Sequence, residues 1–128
     1  MSVSILVVDD ETDVAELFRQ HFCREARQGT YVLHFAYSGE EALDKLCTGI
    51  ERLRVILSHI NMPVMDGLEL LRQIKTRRPD LPVMMVTACG DDERQRLASE
   101  YGAAEFITKP VDFDFLKTQL RDLSDAAD

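Results

Sequence analysis

Short apolar segments alternate along the chain with longer segments in which apolar and polar residues are mixed. The short segments hold four to six residues, are rich in branched side chains and are too short for buried helices. Each of them therefore predicts a buried strand. The predicted strands are 3–8, 31–36, 54–58, 83–87 and 105–108.

In the longer segments, apolar residues recur every three or four positions, which is the pattern of a helix with one buried face. Leu17, Phe18 and Phe22 belong to such a stripe in the first of these segments. Ser38 and Glu41 have the spacing of a capping box and predict the start of the second helix. The predicted helices are 11–27, the segment after Ser38, 67–77, 92 to about 101, and the segment after Asp112, which can cap it.

Five strands that are each followed by a helix predict an α/β fold. The nearly all-apolar strands indicate a sheet that is buried on both faces, as parallel sheets are. Because right-handed crossovers leave few topologies, we expect a doubly wound, five-stranded parallel sheet. The chain shows no linker and no repeat, so we predict one domain over residues 1–123 and a frayed, acidic tail at 124–128.

Composition narrows the function classes. No apolar run approaches the roughly 20 residues of a membrane span, and we expect a cytoplasmic protein without a membrane partner. The net charge of −8 argues against non-specific binding to nucleic acid. The three cysteines form no disulfide framework, so we expect free thiols in a reducing compartment.

Polar residues stand where several predicted strands end. The carboxyl ends of parallel strands share one edge of a sheet, and neighbouring strands lie about 4.8 Å apart, so these side chains should meet. They are Asp9 and Asp10 after the first strand, His59 after the third, Thr87, Ala88 and Cys89 at the end of the fourth, and Lys109 after the fifth.

Four motifs carry a family resemblance. They are VVDD at 7–10, INMPVMDG at 60–67, VTA at 86–88 and GAAEFITKP at 102–110. With these motifs in this order, the chain resembles the receiver domain of two-component response regulators, the CheY-like fold, over essentially its whole length. Asp9 and Asp10 taken alone would also fit a helix N-cap, but the other motifs favour the family interpretation.

The resemblance implies a role for each motif residue. Asp9 and Asp10 would hold Mg²⁺, and the carbonyl of Asn61 would supply a further ligand. Two carboxylates suit this hard cation. Thr87 and Lys109 would contact phosphoryl oxygens, where a hydroxyl and an ammonium group offset phosphate charge.

The resemblance also implies roles for residues on the surface through which the family passes its signal to a partner. The peptide bond between Lys109 and Pro110 would be cis. Phe106 would be the aromatic switch residue, and the surface from the fourth strand to the last helix would bind a protein partner or a second copy.

One residue departs from the family at its most important position. The family's phosphoacceptor is an aspartate directly before the Ile60 motif, and this chain has His59 there. No carboxylate remains to form an acyl phosphate, and the metal site loses an anionic ligand. We therefore predict weak Mg²⁺ binding, no required cofactor and no aspartyl phosphorylation at the usual site. Strand alternation should point the hydroxyl of Ser58 to the opposite face.

Cys89 is a second departure, two positions after Thr87. His59 and Cys89 should face one another, because the third and fourth strands are neighbours in the family. An imidazole can generate a nucleophilic thiolate, so the pair could be a dyad that cleaves small activated esters. The N–H groups near Ala88, together with Asn61 and Lys109, could then act as an oxyanion hole, and Asp9 or Asp10 could orient the histidine. We expect modest activity, since nothing in the sequence indicates a deep substrate pocket.

Two alternatives stay open. A histidine in place of the acceptor is also typical of a receiver that works unphosphorylated as an interaction module, and a lone cysteine at a strand end is usually packing. His59, Cys89 and Asp10 would also suit Zn²⁺. The sequence leaves open whether the pair is natural or was introduced by engineering.

Overall fold

The computed structural model describes residues 3–50, 53–60, 62, 65–87, 92–109 and 111–127, with side chains through residue 122. Strands and helices alternate along it. The elements are β1 (Val3–Val8), α1 (Thr12–His21), α2 (Cys23–Arg27), β2 (Tyr31–Ala36), α3 (Gly39–Thr48), β3 (Leu53–His59), α4 (Gly67–Arg77), β4 (Val83–Thr87), α5 (Asp92–Glu100), β5 (Glu105–Thr108) and α6 (Phe113–Ala127).

The five strands form one parallel sheet in the order β2-β1-β3-β4-β5. The chain first builds outward from β1 to β2 and then crosses to β3 on the other side, so the direction of winding reverses between β1 and β3. Ligand sites of such sheets lie outside the carboxyl ends of the strands at this reversal. The predicted doubly wound α/β fold is confirmed.

Alternating side chains of the strands pack into two separate hydrophobic cores, one on each face of the sheet. On one face of the sheet, Leu57 belongs to a cluster with apolar side chains of α1 and α6, including Phe18 and Leu116. On the other face, Ile56 belongs to a cluster with side chains of α3, α4 and α5, including Leu70. Because both faces are covered, the strands need apolar residues on both sides, which explains why their sequences are mostly apolar.

The predicted helix over 11–27 is wrong in one respect, because it is two helices. Phe22 interrupts it with φ −105° and ψ 12°, outside the helical region. The Phe22 side chain is buried and packs edge-on against Tyr31 of β2. Its spacing from Phe18 still fits a helix, so the pattern could not reveal the break. Leu17, expected on the buried stripe, is 47% exposed.

The two residues that the sequence predicted as helix caps, Ser38 and Asp112, both accept a capping hydrogen bond. Ser38 Oγ accepts a hydrogen bond from the Glu41 N–H at 3.1 Å, and Asp112 Oδ1 accepts from Phe115 N–H at 3.2 Å. Helix α6 continues to Ala127, into the segment that we predicted to fray. The fraying itself and the domain boundary at residue 123 stay predictions.

Candidate functional site

The site lies at the carboxyl ends of β1 and β3, where the winding of the sheet reverses. Asp9 and Asp10 follow β1 directly, and His59 is the last residue of β3. β1 and β3 are paired up to Val8 and Ser58, so the next residue of each strand reaches the same edge. The predicted strand end at residue 58 was one residue short, and His59 is held by pairing with Val86 of β4.

Asp9 is a buried carboxylate whose two oxygens are both engaged. Its side chain is 6% exposed. Oδ1 accepts a hydrogen bond from the Glu11 N–H at 3.0 Å, and Oδ2 lies 3.4 Å from Lys109 Nζ. A buried charge needs such partners, because its lost hydration is not otherwise replaced. The Lys109 contact joins residues 100 positions apart and confirms that the first and last motifs meet.

His59 faces the acidic pair. Its Nδ1 lies 3.8 Å from Asp9 Oδ1 and 3.9 Å from Asp10 Oδ1, which is too long for a hydrogen bond. His59 is 8% exposed, and its Nδ1 is buried with no hydrogen-bond partner among the described residues. Asp10 is the more accessible carboxylate, with 34% of its side chain exposed.

The three side chains form a group that could hold a metal ion. One ligand atom from each of Asp9, Asp10 and His59 lies within 4.8 Å of the others. This donor set fits Mg²⁺ poorly, because Mg²⁺ demands oxygen ligands in an octahedron and the imidazole replaces one carboxylate. Asn61, to which the resemblance assigns a further ligand, lies outside the described residues.

Thr87 is fully buried at the end of β4, and its hydroxyl has a partner that the sequence did not indicate. Thr87 Oγ1 accepts a hydrogen bond from Gln95 Nε2 of α5 at 3.0 Å. The carbonyl oxygen of Thr87 accepts from the Lys109 N–H at 2.8 Å, which ties the ends of β4 and β5 together. No motif marks Gln95, because its role depends on where α5 lies over the sheet.

Part of the predicted site cannot be placed. Ala88, Cys89 and Pro110 lie outside the described residues, so the His59–Cys89 pair and the cis peptide bond stay predictions. Phe106 is described, and it is partly buried against the core cluster beneath α3, α4 and α5. Its role as a switch residue also stays a prediction. Ser58 is buried and its hydroxyl donates to the His59 carbonyl at 3.2 Å.

Gly67 brings the loop after β3 close to the site. Its N–H donates to the Ile60 carbonyl at 2.7 Å. A Cβ at this position would lie 2.3 Å from the His59 carbonyl oxygen and 2.7 Å from the Ile60 Cα. Only a residue without a side chain allows this approach, so the glycine of the INMPVMDG motif is required by packing.

A cavity of about 620 Å³, which the sequence did not indicate, opens beside the site. The cavity lies between α1 and α6, and Asp9 and Lys109 are among the residues that line it. Apolar side chains line most of it, among them Val14, Leu17, Phe18, Leu57, Val86, Val111 and Phe113. Sequence patterns could not reveal it, because it depends on how two helices from opposite ends of the chain pack on the sheet.

Within the described part of the chain, no helix has the combination of length and apolar character that crossing a bilayer requires.

Residues 5–121 match the family described as "Response regulator receiver domain". The chain belongs to this family, as the motifs predicted. Receiver domains are signalling modules that interact with protein partners and normally bind Mg²⁺ at an acidic site.

Two named regulators illustrate the similarity. The response regulator MprA of Mycobacterium bovis is 36% identical over 124 residues, which is 96% of this chain and 51% of MprA. The DNA-binding transcriptional regulator NtrC of Klebsiella pneumoniae is 48% identical over 77 residues, which is 60% of this chain and 16% of NtrC. The chain thus spans about half the length of MprA.

Solved structures give the same assignment. A receiver domain protein from Clostridium thermocellum superposes with a TM-score of 0.88 and 26% identity, covering 98% of this chain and 96% of that one. The response regulator TrrA of Thermotoga maritima, solved in complex with Mg²⁺-BeF, has a TM-score of 0.78 and 32% identity, covering 94% of this chain and 98% of that one.

Proposed function

We propose that this chain is a receiver domain that works without an aspartyl phosphate and acts by binding a protein partner. The observation that carries the proposal is the position of His59. It stands at the end of β3, beside Asp9 and Asp10, where the family places its phosphoacceptor.

The chemistry at this position excludes the usual reaction. An acyl phosphate is a mixed anhydride that only a carboxylate can form, and the imidazole of His59 has no carboxyl oxygen to offer. Asp9 cannot easily replace the missing acceptor, because it is buried and its oxygens are engaged by Glu11 N–H and Lys109.

The ion pair between Lys109 and Asp9 supports a resting arrangement that needs no phosphate. In the family interpretation Lys109 contacts the phosphoryl group. Here its ammonium group lies 3.4 Å from a buried carboxylate, which offsets its charge without phosphate. We expect weak Mg²⁺ binding as well, since the carboxylate set is incomplete. TrrA, by contrast, is a relative solved with Mg²⁺-BeF.

Acetyl phosphate with Mg²⁺ tests the proposal directly. We expect no phosphoryl adduct on the wild-type chain by intact-mass spectrometry, and an adduct on the His59→Asp variant. His59→Asn is the matched control, because it removes the imidazole without supplying a carboxylate. A phosphoryl group on the wild-type chain, whether on a carboxylate or on His59 itself, would contradict the proposal.

The surface from β4 to α6 is the expected binding face, and Phe106 of β5 lies within it. The partner is a protein, which includes a second copy of this chain. Sedimentation at increasing concentration measures self-association, and cross-linking locates the face. Self-association through β2 and α3, on the other edge of the sheet, would contradict this assignment of the face. The charge of −8 still argues against nucleic acid as a partner.

A second candidate function is ester hydrolysis by Cys89 and His59. One observation favours it: Nδ1 of His59 faces two carboxylates at 3.8 and 3.9 Å, the side from which a carboxylate orients the base of a triad once the contact shortens to a hydrogen bond. The Cys89 sulfur would attack the ester carbonyl, and His59 would protonate the departing alcohol. Water activated by His59 would then hydrolyse the thioester.

Burst kinetics with p-nitrophenyl acetate separate the two candidates. A hydrolase predicts a burst that Cys89→Ala abolishes and His59→Ala slows. Cys47→Ala is the matched control, because Cys47 is an exposed free thiol outside the site. Equal turnover by the wild-type chain and Cys89→Ala would exclude the dyad and leave the unphosphorylated receiver.

A further inference from the structure

Within the described residues, Nδ1 of His59 has surroundings that satisfy neither neutral form of the ring. If Nδ1 carries the hydrogen, the nearest carboxylate oxygens at 3.8 and 3.9 Å are too far to accept it. If Nδ1 carries the lone pair, that lone pair is buried among acceptors. A buried polar atom without a hydrogen-bond partner is unfavourable, so the position calls for a further group.

A cation between the three side chains would satisfy them together. Four ligand atoms around Zn²⁺ lie about 2.0–2.2 Å from the metal and hence about 3.4 Å from one another. The spacings of 3.8 and 3.9 Å between Nδ1 and the carboxylate oxygens exceed this by about half an ångström, which small rotations of Asp10 and His59 can close. An ion could enter on the side of Asp10, the more exposed ligand.

The donor set then selects the kind of metal. One imidazole nitrogen and two carboxylates suit borderline ions such as Zn²⁺, Co²⁺ and Ni²⁺ better than Mg²⁺. Asp9 can still contribute, because each carboxylate oxygen has a second lone pair beyond its bond to Glu11 N–H or its contact with Lys109. Water would complete the coordination.

We propose that Asp9, Asp10 and His59 form a binding site for a divalent transition-metal ion, with Zn²⁺ favoured over Mg²⁺. The buried Nδ1, aimed at the acidic pair and without a hydrogen-bond partner in the described part of the chain, carries this inference. Cys89 is not needed, so the site differs from the Zn²⁺ site that the sequence indicated. The proposal is independent of the proposed function, because a receiver domain that forms no acyl phosphate needs no metal ion.

Calorimetric titration with Zn²⁺ and with Mg²⁺ tests the selectivity. The protein is the full chain carrying Cys23→Ser and Cys47→Ser, because these exposed thiols could bind Zn²⁺ elsewhere. We expect one Zn²⁺ per chain, bound at least about tenfold more tightly than Mg²⁺. The His59→Ala variant lacks this ligand, and its Zn²⁺ affinity should be lower by at least about tenfold. Even the loss of an outer-shell partner of a metal ligand lowers metal affinity by about 10–100-fold.

Three further variants control the assignment. His34→Gln removes another partly buried histidine, on β2, and should leave Zn²⁺ affinity unchanged. His59→Asp restores an all-carboxylate set and should strengthen Mg²⁺ relative to Zn²⁺. Cys89→Ala should leave Zn²⁺ affinity unchanged, and the Co²⁺ complex should show no thiolate charge-transfer band in the near ultraviolet.

Some results would overturn the proposal. These are Mg²⁺ binding as tight as Zn²⁺ binding, Zn²⁺ affinity that is the same with and without His59, and Zn²⁺ affinity that Cys89→Ala lowers. A chain that binds no Zn²⁺ would overturn it while leaving the acetyl phosphate experiment, and therefore the proposed function, unaffected.

Discussion

Gly67→Ala should be strongly destabilising, because the added Cβ would meet backbone rather than a side chain. It would lie 2.3 Å from the His59 carbonyl oxygen and 2.7 Å from the Ile60 Cα, where ordinary contacts begin at 3.4 Å. Relief requires a backbone shift of about 1 Å in a packed region. That shift would move His59 and break the short hydrogen bond from Gly67 N–H to the Ile60 carbonyl.

The expected loss follows from two opposing effects. Replacing a compatible glycine by alanine stabilises by about 0.4–1 kcal/mol through the unfolded chain. Forcing atoms into a packed site costs about 1–3 kcal/mol or more, and the upper end applies where backbone must move. With the broken hydrogen bond added, we expect the free energy of unfolding to fall by about 2–3 kcal/mol and Tm by roughly 8–12 °C.

Urea unfolding followed by circular dichroism measures this change, with Gly39→Ala as the matched control. Both glycines are the first residue of a helix and follow a capping side chain, Ser38 or Asp66. The Cβ of Gly39→Ala would meet the flexible side chain of Met65, which can move aside. We expect a change within about 1 kcal/mol for this variant. Equal losses for the two variants would refute the reasoning from backbone contact.

Two predictions concern pH. Burial, with a smaller contribution from Lys45, lowers the pKa of His34 below 6.5, so the folded state disfavours its charged form. The free energy of unfolding should therefore fall as pH drops below 6.5 towards the folded-state pKa. Urea titrations at several pH values should show a smaller fall for His34→Gln. An unchanged dependence of the free energy of unfolding on pH in this variant would contradict the burial argument. Burial opposes ionisation of Glu25, but its hydrogen bond and ion pair with Lys117, at 2.9 Å, dominate and lower its pKa below 4.5. The stability that this pair contributes should be present above pH 4.5 and lost on acidification. Glu25→Gln should therefore destabilise the protein at neutral pH and much less in acid. An equal effect at neutral and acidic pH would argue against the ion pair.

The amino-acid sequence by itself determined the order and type of the strands and the residues at their carboxyl ends. Apolar segments such as 83–86 need cover on both faces, and helices between parallel strands provide it. Once the sheet is parallel, Asp9, His59 and Lys109 must reach one edge, because every strand ends there.

Only the tertiary structure settled what depends on how helices pack. Phe22 leaves the helix to contact Tyr31, Gln95 reaches Thr87 from α5, and the cavity forms between α1 and α6. Each of these contacts depends on the distance and angle at which two elements pack, and no local sequence pattern encodes them. The same holds for Nδ1 of His59: the sequence places an imidazole beside two carboxylates, but the ring orientation that leaves this nitrogen buried and unbonded among the described residues is set by the packing around it.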